Sequence, residues 1–294
     1  MSHSLWLCPV CKQSLLHLDN SLRCDNGHLF DIAKEGYINL LLSHQRNSNN
    51  PGDNREMVIG RREFLNQGHY QPLAEFISGL ILQHTAKDSA IALLDIGCGE
   101  GFYTTFLANA IKENKIQWIG GIDISKEAIK QAAKRRHPEV DFAVASNINI
   151  PIADNALSMV TEIFAPDCPQ EIARILKKDG LFIHVTPGED HLFSLREMVY
   201  DTPQKHQLKP MTDPSFTLLE QHHLRFELNL GNSTDVGNLL RMTPYYWQLD
   251  ESRQQQILST EALSTEASFV ITVYQNHQQT SPWAKREIQS DQSL

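Results

Sequence analysis

The sequence predicts an α/β protein: a mostly parallel sheet flanked by helices, with a small metal-pinned domain at the N-terminus. Three stretches predict it. Ile91 to Gly101, I-A-L-L-D-I-G-C-G-E-G, is an apolar run ending in Asp95, followed by a turn in which Gly97, Gly99 and Gly101 alternate with other residues. Phe102, Phe106, Leu107 and Ala110 come next at helical spacing, so the segment reads strand, glycine turn, helix. Ile116 to Asp123, I-Q-W-I-G-G-I-D, is a second apolar strand closed by a carboxylate, and Ser125 is placed to cap a helix starting at Lys126. Cys8-Pro9-Val10-Cys11 and, twelve residues on, Cys24-Asp25-Asn26-Gly27-His28 put four metal-ligand side chains on two tight turns.

A chain that bends so sharply beyond a central strand leaves bare backbone for a ligand. The dinucleotide fingerprint G-x-G-x-x-G would hold phosphate on a helix N-terminus, but the spacing here is D-x-G-x-G-x-G. Asp95 at the strand end repels phosphate and favours an ammonium or a sulfonium-bearing amino acid. Asp123 can accept both hydroxyls of a ribose. A glycine-rich turn with no ligand is the alternative, and two acidic strand ends weigh against it. The pattern resembles motif I of the class I S-adenosylmethionine-dependent methyltransferases. That resemblance implies a Rossmann-like, mostly parallel seven-stranded sheet, S-adenosyl-L-methionine as cofactor, and contacts to it from Asp95, Gly97, Gly99, Glu100 and Asp123.

At 294 residues the chain can form one large domain or two unequal ones. It contains no apolar run near the roughly 20 residues that span a bilayer, and its N-terminus has no charged region followed by an apolar core. These features favour the cytoplasm and no membrane partner. A net charge of −9 argues against indiscriminate binding to nucleic acid and leaves room for a local basic patch. Five cysteines, three of them in the first 24 residues, make a poor disulfide framework and a better metal one.

Cys8, Cys11, Cys24 and His28 give the closed shell of thiolate and imidazole that structural Zn2+ prefers, with no open position for chemistry. Pro9 stiffens the first turn and Gly27 permits the second. So small a segment would draw most of its folding energy from the metal. A reduced C-x-x-C with an unrelated His nearby is the competing reading.

Following the metal ligands come F-D-I-A-K-E-G-Y-I-N-L-L (residues 30 to 41), P-G-D (51 to 53) and G-H-Y-Q-P-L (68 to 73), all ahead of D-I-G-C-G-E-G. This order resembles the bacterial large-subunit (23S) ribosomal RNA guanine-N1-methyltransferases, up to about residue 275. The resemblance implies methyl transfer to N1 of one guanine and a zinc finger that recognises a ribosomal RNA hairpin. It also implies that Tyr70 lies against the methionine end of the cofactor, that Ser146-Asn147 holds the adenine, and that His191, in T-P-G-E-D-H-L, helps hold the cofactor. The organisation expected is a zinc-binding RNA-recognition domain at 1–42, a polar linker at 43–54 that lets the parts move, a methyltransferase domain at 55–275, and a disordered polar tail at 276–294. A homodimer is left open.

The remaining pattern predicts helices from Arg55 to Gln67 and from Gly68 to His84, with Arg61 and Arg62 on a solvated face or on RNA phosphate. Further along it predicts a helix over Lys126 to Arg136, strands at Val140 to Ala145 and Ala156 to Phe164, a helix from Asp167 to Lys178 and a strand from Leu181 to Thr186. An insertion at 201–222 precedes antiparallel strands at His223 to Leu230 and Ser268 to Tyr274. An aromatic cluster with Arg241 lies at 239–247, facing RNA or packed in the core. Ligands in open α/β sheets collect beyond the carboxyl ends of strands, so the Phe164-Ala165-Pro166 turn borders the reaction site. Phe164 either stacks on the target base or merely packs. Guanine N1 must lose a proton, and Asp167 is a candidate acceptor, with Glu100 a weaker one. Two rival functions remain: a class I methyltransferase acting on a small molecule or protein with the finger as an interaction module, and a non-enzymatic RNA-binding protein.

Overall fold

The computed structural model describes residues 4–45, 51–86, 89–113, 116–208 and 210–277. Strands β1 (Leu16–Leu18), β2 (Ser21–Arg23) and β3 (Leu29–Asp31) form a small antiparallel sheet. Strand β4 (Ile38–Asn39) follows, then helices α1 (Arg55–Asn66) and α2 (Gln71–His84). The large domain continues with β5 (Ile91–Ile96), α3 (Phe102–Ala110), β6 (Ile116–Asp123), α4 (Lys126–Ala133), β7 (Val140–Val144) and β8 (Leu157–Ile163). It closes with α5 (Pro169–Ile175), β9 (Leu176–Pro187), α6 (Phe193–Val199), β10 (Phe216–Leu230), α7 (Ser233–Arg241), α8 (Glu251–Leu258) and β11 (Leu263–Asn276).

The large sheet runs β10-β11-β9-β8-β5-β6-β7-β4, and only β11 opposes its neighbours. The first seven of these make the expected mostly parallel sheet. β5 is buried at every residue, as an Ile-Ala-Leu-Leu run at the centre of a sheet covered on both faces must be.

Local chemistry explains where the elements start and stop. Asn54 caps α1 by accepting the backbone N–H groups of Glu56 and Met57, each at 3.0 Å. Ser125 caps α4 through Ala128 N–H at 3.2 Å. That helix ends at Ala133, short of Arg136, which takes a left-handed φ of 52°. Helix α5 is shorter than the sequence predicts because the chain enters β9 directly at buried Leu176. The side chain of Asn276 on β11 donates to the carbonyls of Ala173 and Leu176 at 3.0 and 3.1 Å, satisfying that helix end. β10 begins at Phe216, inside the stretch expected as an insertion, and β11 reaches from Leu263 to Asn276.

The N-terminal module is built onto the sheet. Trp6 meets Trp118 edge-on with ring centroids 4.9 Å apart, and Leu7 N–H donates to Pro151 O at 2.8 Å. Trp6, Leu15, Leu22, Ile38 and Leu40 share one apolar core with Leu94, Ile96, Trp118, Ile122, Ile152 and Phe182. β4 pairs in parallel with β7, Ile38 opposite Ala143, and so becomes an eighth strand. Of the segment expected as a linker, Ser43–Gln45 form one 3-10 turn and residues 46–50 lie outside the described residues. Asp53 returns to the sheet's carboxyl edge, where its carbonyl accepts Ser125 Oγ at 2.7 Å. Asn276 and His277 complete the β10–β11 pairing, and the rest of the expected tail lies outside the described residues. Among the described residues no helix is long and apolar enough to cross a membrane.

Candidate active site and metal centre

Cys8, Cys11, Cys24 and His28 come together at the head of the small sheet, with ligand atoms all within 4.8 Å of one another. Two backbone turns do this: Lys12 N–H bonds to Cys8 O at 2.8 Å, and Gly27 N–H to Cys24 O at 2.9 Å with Gly27 at φ +84°. Cys11 Sγ lies 3.6 Å from Cys24 Sγ, and His28 Nδ1 lies 3.3 Å from Cys24 Sγ and 3.5 Å from Cys8 Sγ. Bonds of about 2.3 Å to sulfur at tetrahedral angles need separations only slightly larger than these, so the three thiols and one imidazole fit Zn2+. The backbone N–H of Gln13 lowers the Cys11 thiol to about 6, the thiolate form a metal requires. No position is left open, which makes the centre structural.

At the carboxyl edge of the large sheet lies a cleft of about 430 Å³. Its walls include Gly97 from the turn after β5, Ile122 and Asp123 at the end of β6, Ala145 and Asn147 after β7, and Phe164 to Pro166 after β8. Gly52, Asp53 and Arg61 close one side. A smaller cavity of about 60 Å³ adjoins it and shares Arg61, Gly97, Ile163 and Phe164, adding Tyr70, Gly99, Glu100, Tyr103 and Met242. Gly97, Gly99 and Gly101 take φ of 67°, 56° and 80°. A Cβ on Gly97 would collide with that of Ala165, so the turns after β5 and β8 touch only because residue 97 has no side chain.

The sequence-predicted residues do not all face this space. Asp123 does: it borders the cleft while accepting Gly99 N–H at 3.0 Å and Ser125 N–H at 2.7 Å. Burial pushes its carboxyl up, against the pull of those amides. Each oxygen accepts one of these bonds and so keeps a second lone pair. Asp95 is buried beneath the turn, its two oxygens taken by the hydroxyls of Thr104 at 2.6 Å and Thr161 at 2.9 Å. Burial raises it to about 6 even so. Its position braces the turn from below. Glu100 is also buried, and its carboxylate is spent on Arg135, whose Nε donates to Oε2 at 2.9 Å and to the Glu100 carbonyl at 2.9 Å.

Tyr70 lines the smaller cavity, but His191 stands behind it. His191 Nδ1 accepts the backbone N–H of Ser268 at 3.2 Å, so the ring proton sits on Nε2, 3.4 Å from Tyr70 Oη. Burial holds this imidazole down at about 3, and it stays neutral. His191 therefore fixes Tyr70 and does not itself border the cleft. Ser146 Oγ turns inward to accept Ile148 N–H at 3.3 Å, and its neighbour Asn147 borders the cleft instead, donating to Pro166 O at 2.6 Å. Phe164 has φ 58°, is 42% exposed and stands where both cavities meet. Asp167 is exposed one residue past the cleft wall and lines a shallow depression with His184 and Pro210 to Pro214.

Sequence reasoning missed three contributors. Arg61, read as surface or RNA-facing, pairs with Asp53 and donates to Met242 O at 3.3 Å, which makes it a cleft wall. Arg62 donates to Gln131 O at 3.1 Å and is likewise held internally. Asp53 sat in the expected linker, and Tyr103 was an unremarked position of the helix expected after the glycine turn. The P-G-D motif just ahead of a capped helix was the one available signal for Asp53.

A zinc-ribbon family model described as "RlmA, N-terminal" matches residues 6–49, and a model described as "Methyltransferase domain" matches residues 87–232. A "23S rRNA (guanine(748)-N(1))-methyltransferase" of Streptomyces fradiae is 35% identical over 248 residues, which is 83% of this chain and 86% of that protein. The chain belongs to the 23S rRNA guanine-N1-methyltransferase family. A "Putative 23S rRNA (guanine-N(1)-)-methyltransferase YxjB" of Bacillus subtilis is 31% identical, over 85% of this chain and 89% of its own. Membership makes this methyltransferase S-adenosylmethionine-dependent with a zinc ribbon. Its cleft fits that donor on two structural grounds: a glycine cradle that no side chain can fill, and a carboxylate with free lone pairs at the end of the neighbouring strand.

Proposed function

We propose that this chain methylates N1 of a guanine in large-subunit ribosomal RNA, using the cleft between the ends of β5, β6, β7 and β8. The single observation that carries the choice of substrate is likeness over more than four fifths of the chain to a protein named for that reaction. The donor, when bound, supplies a methyl group made electrophilic by its sulfonium. The protein's residues do the rest. Asp123 accepts the ribose hydroxyls, Asn147 and Ala145 border the adenine, and Gly97 lets the donor chain lie on bare backbone. Tyr70, locked by His191, closes the methionine side, with Glu100 beside it at the glycine turn and Asp95 bracing that turn from below.

Guanine N1 lies on the pairing edge, so the base must come from a loop or be flipped out. Phe164, exposed at the mouth, stacks on it and orients N1. The departing N1 proton passes to Asp167 or to solvent beyond Pro166. The zinc module of residues 1–42 presents the RNA, recognising a hairpin, and two chains acting as a pair would offer two such modules. A ribosomal RNA substrate places the enzyme in the cytoplasm. The test is mass mapping of methylated nucleotides in 23S RNA from cells with and without this chain. Loss of one N1-methylguanosine is expected, and an unchanged map would remove the proposal.

A further inference from the structure

The small cavity beside the main cleft contains a group that nothing among the described residues satisfies. Tyr103, in the first turn of α3, is 8% exposed, lines this cavity, and its hydroxyl has no hydrogen-bond partner. A buried hydroxyl without a partner costs free energy unless something else takes it up. Around it stand Arg61, which lines both cavities, and Tyr70, whose hydroxyl receives the His191 Nε2 proton and keeps its own to give. Arg61 lies close enough to Tyr103 to act on it electrostatically. Glu100 also lines this cavity, but its carboxylate is neutralised by Arg135; Arg61 pairs with Asp53, which borders the main cleft, and offers the rest of its planar fork to a second acceptor.

A guanidinium and two phenol hydroxyls converging on one small space form an arrangement of donors, which suits an anion. The space is large enough for several waters, hence for an amino-acid head group. We infer that Tyr103 and Arg61 form the subsite for the α-carboxylate of the methyl donor, with Tyr103 donating its hydroxyl proton to one carboxylate oxygen. The inference rests on the proposal that the main cleft holds the donor. It assigns the far end of that ligand to residues outside the glycine motif and explains why Arg61 faces inward. No bond is made or broken; the role is to position the donor.

Calorimetry with two probes tests it: S-adenosylhomocysteine, which carries the carboxylate, and 5′-methylthioadenosine, which lacks the whole amino-acid end. Tyr103→Phe removes one oxygen and keeps the ring, and thermal denaturation checks that the variant is folded. The expected result is about tenfold weaker binding of S-adenosylhomocysteine, as for a lost hydrogen bond to a charged group, with unchanged binding of 5′-methylthioadenosine. Arg61→Gln should show the same selectivity. Equal loss for both probes, or no loss for either, overturns the inference. Failure of wild-type protein to bind S-adenosylhomocysteine at all overturns the cleft assignment itself, and the inference with it.

Discussion

Leu40 donates its backbone N–H to the carbonyl of Val144 at 2.9 Å, tying the exit of the metal module to the strand whose end borders the main cleft. Ala145, the next residue, lines that cleft. The metal-ligand cluster and the cleft are thus linked through two strands of one sheet.

Removing the metal should therefore be felt at the cleft. Zinc supplies much of the module's folding energy, and without it β4 loses the fold that holds it beside β7. Chelated protein is expected to bind S-adenosylhomocysteine roughly fivefold or more weakly, at the low end of ordinary coupling between sites. Calorimetry paired with metal analysis checks this, and equal affinity with and without zinc would show the two sites to be independent.

Gly97 can accept no side chain where it stands. Gly97→Ala combines a left-handed backbone, costing about 1–2 kcal/mol, with a clash against Ala165. Loss of donor binding is expected together with a lowered melting temperature. Adding Ala165→Gly removes the clash and leaves the backbone strain, so it should recover part of the stability. If the double variant is no better than the single one, the contact between the turns is not what limits residue 97.

Arg135 neutralises a buried Glu100. Arg135→Ala leaves an uncompensated buried carboxylate and is expected to cost about 3–5 kcal/mol. Glu100→Gln in the same chain should return most of that loss, since an amide carries no charge to bury. Denaturant unfolding of wild type, both single variants and the double variant gives the coupling energy, and additive losses would count against the pair.

Glu162 carries the opposite lesson. It is fully buried on β8, neither oxygen is hydrogen-bonded among the described residues, and His184 Nε2, held toward its neutral form by burial, stands 3.5 Å away. Burial, reinforced by Asp167 and Asp95, raises its carboxyl to about 9. A folded value above the unfolded one means the folded state binds the proton more tightly. Stability from this group is therefore complete below about pH 4.5 and is lost as pH rises toward 9. Glu162→Gln should remove that slope, ending more stable than wild type at pH 9 by an amount on the order of 1–3 kcal/mol. Parallel stability curves for the two proteins between pH 5 and pH 9, a window taken from these values, would refute it.

The sequence by itself determined the strand order's chemistry: apolar strands closed by Asp95 and Asp123, a turn only glycine can make, and four metal ligands on two turns. Those features are local, since a left-handed φ, a helix cap or a C-x-x-C turn involves residues close in the chain. Helix ends and strand lengths were less legible, because Asn276 ends α5 and β10 extends itself by pairing with β11, both across about a hundred residues or fewer of intervening chain. Only the tertiary structure decided which side chains border the cleft and its side cavity. It turned Asp95, Ser146 and His191 away from the open space and brought Asp53, Arg61 and Tyr103 toward it. The reason is physical: whether a carboxylate or hydroxyl is free depends on partners such as Thr161 and Ser268, which neighbouring strands deliver and no short motif records.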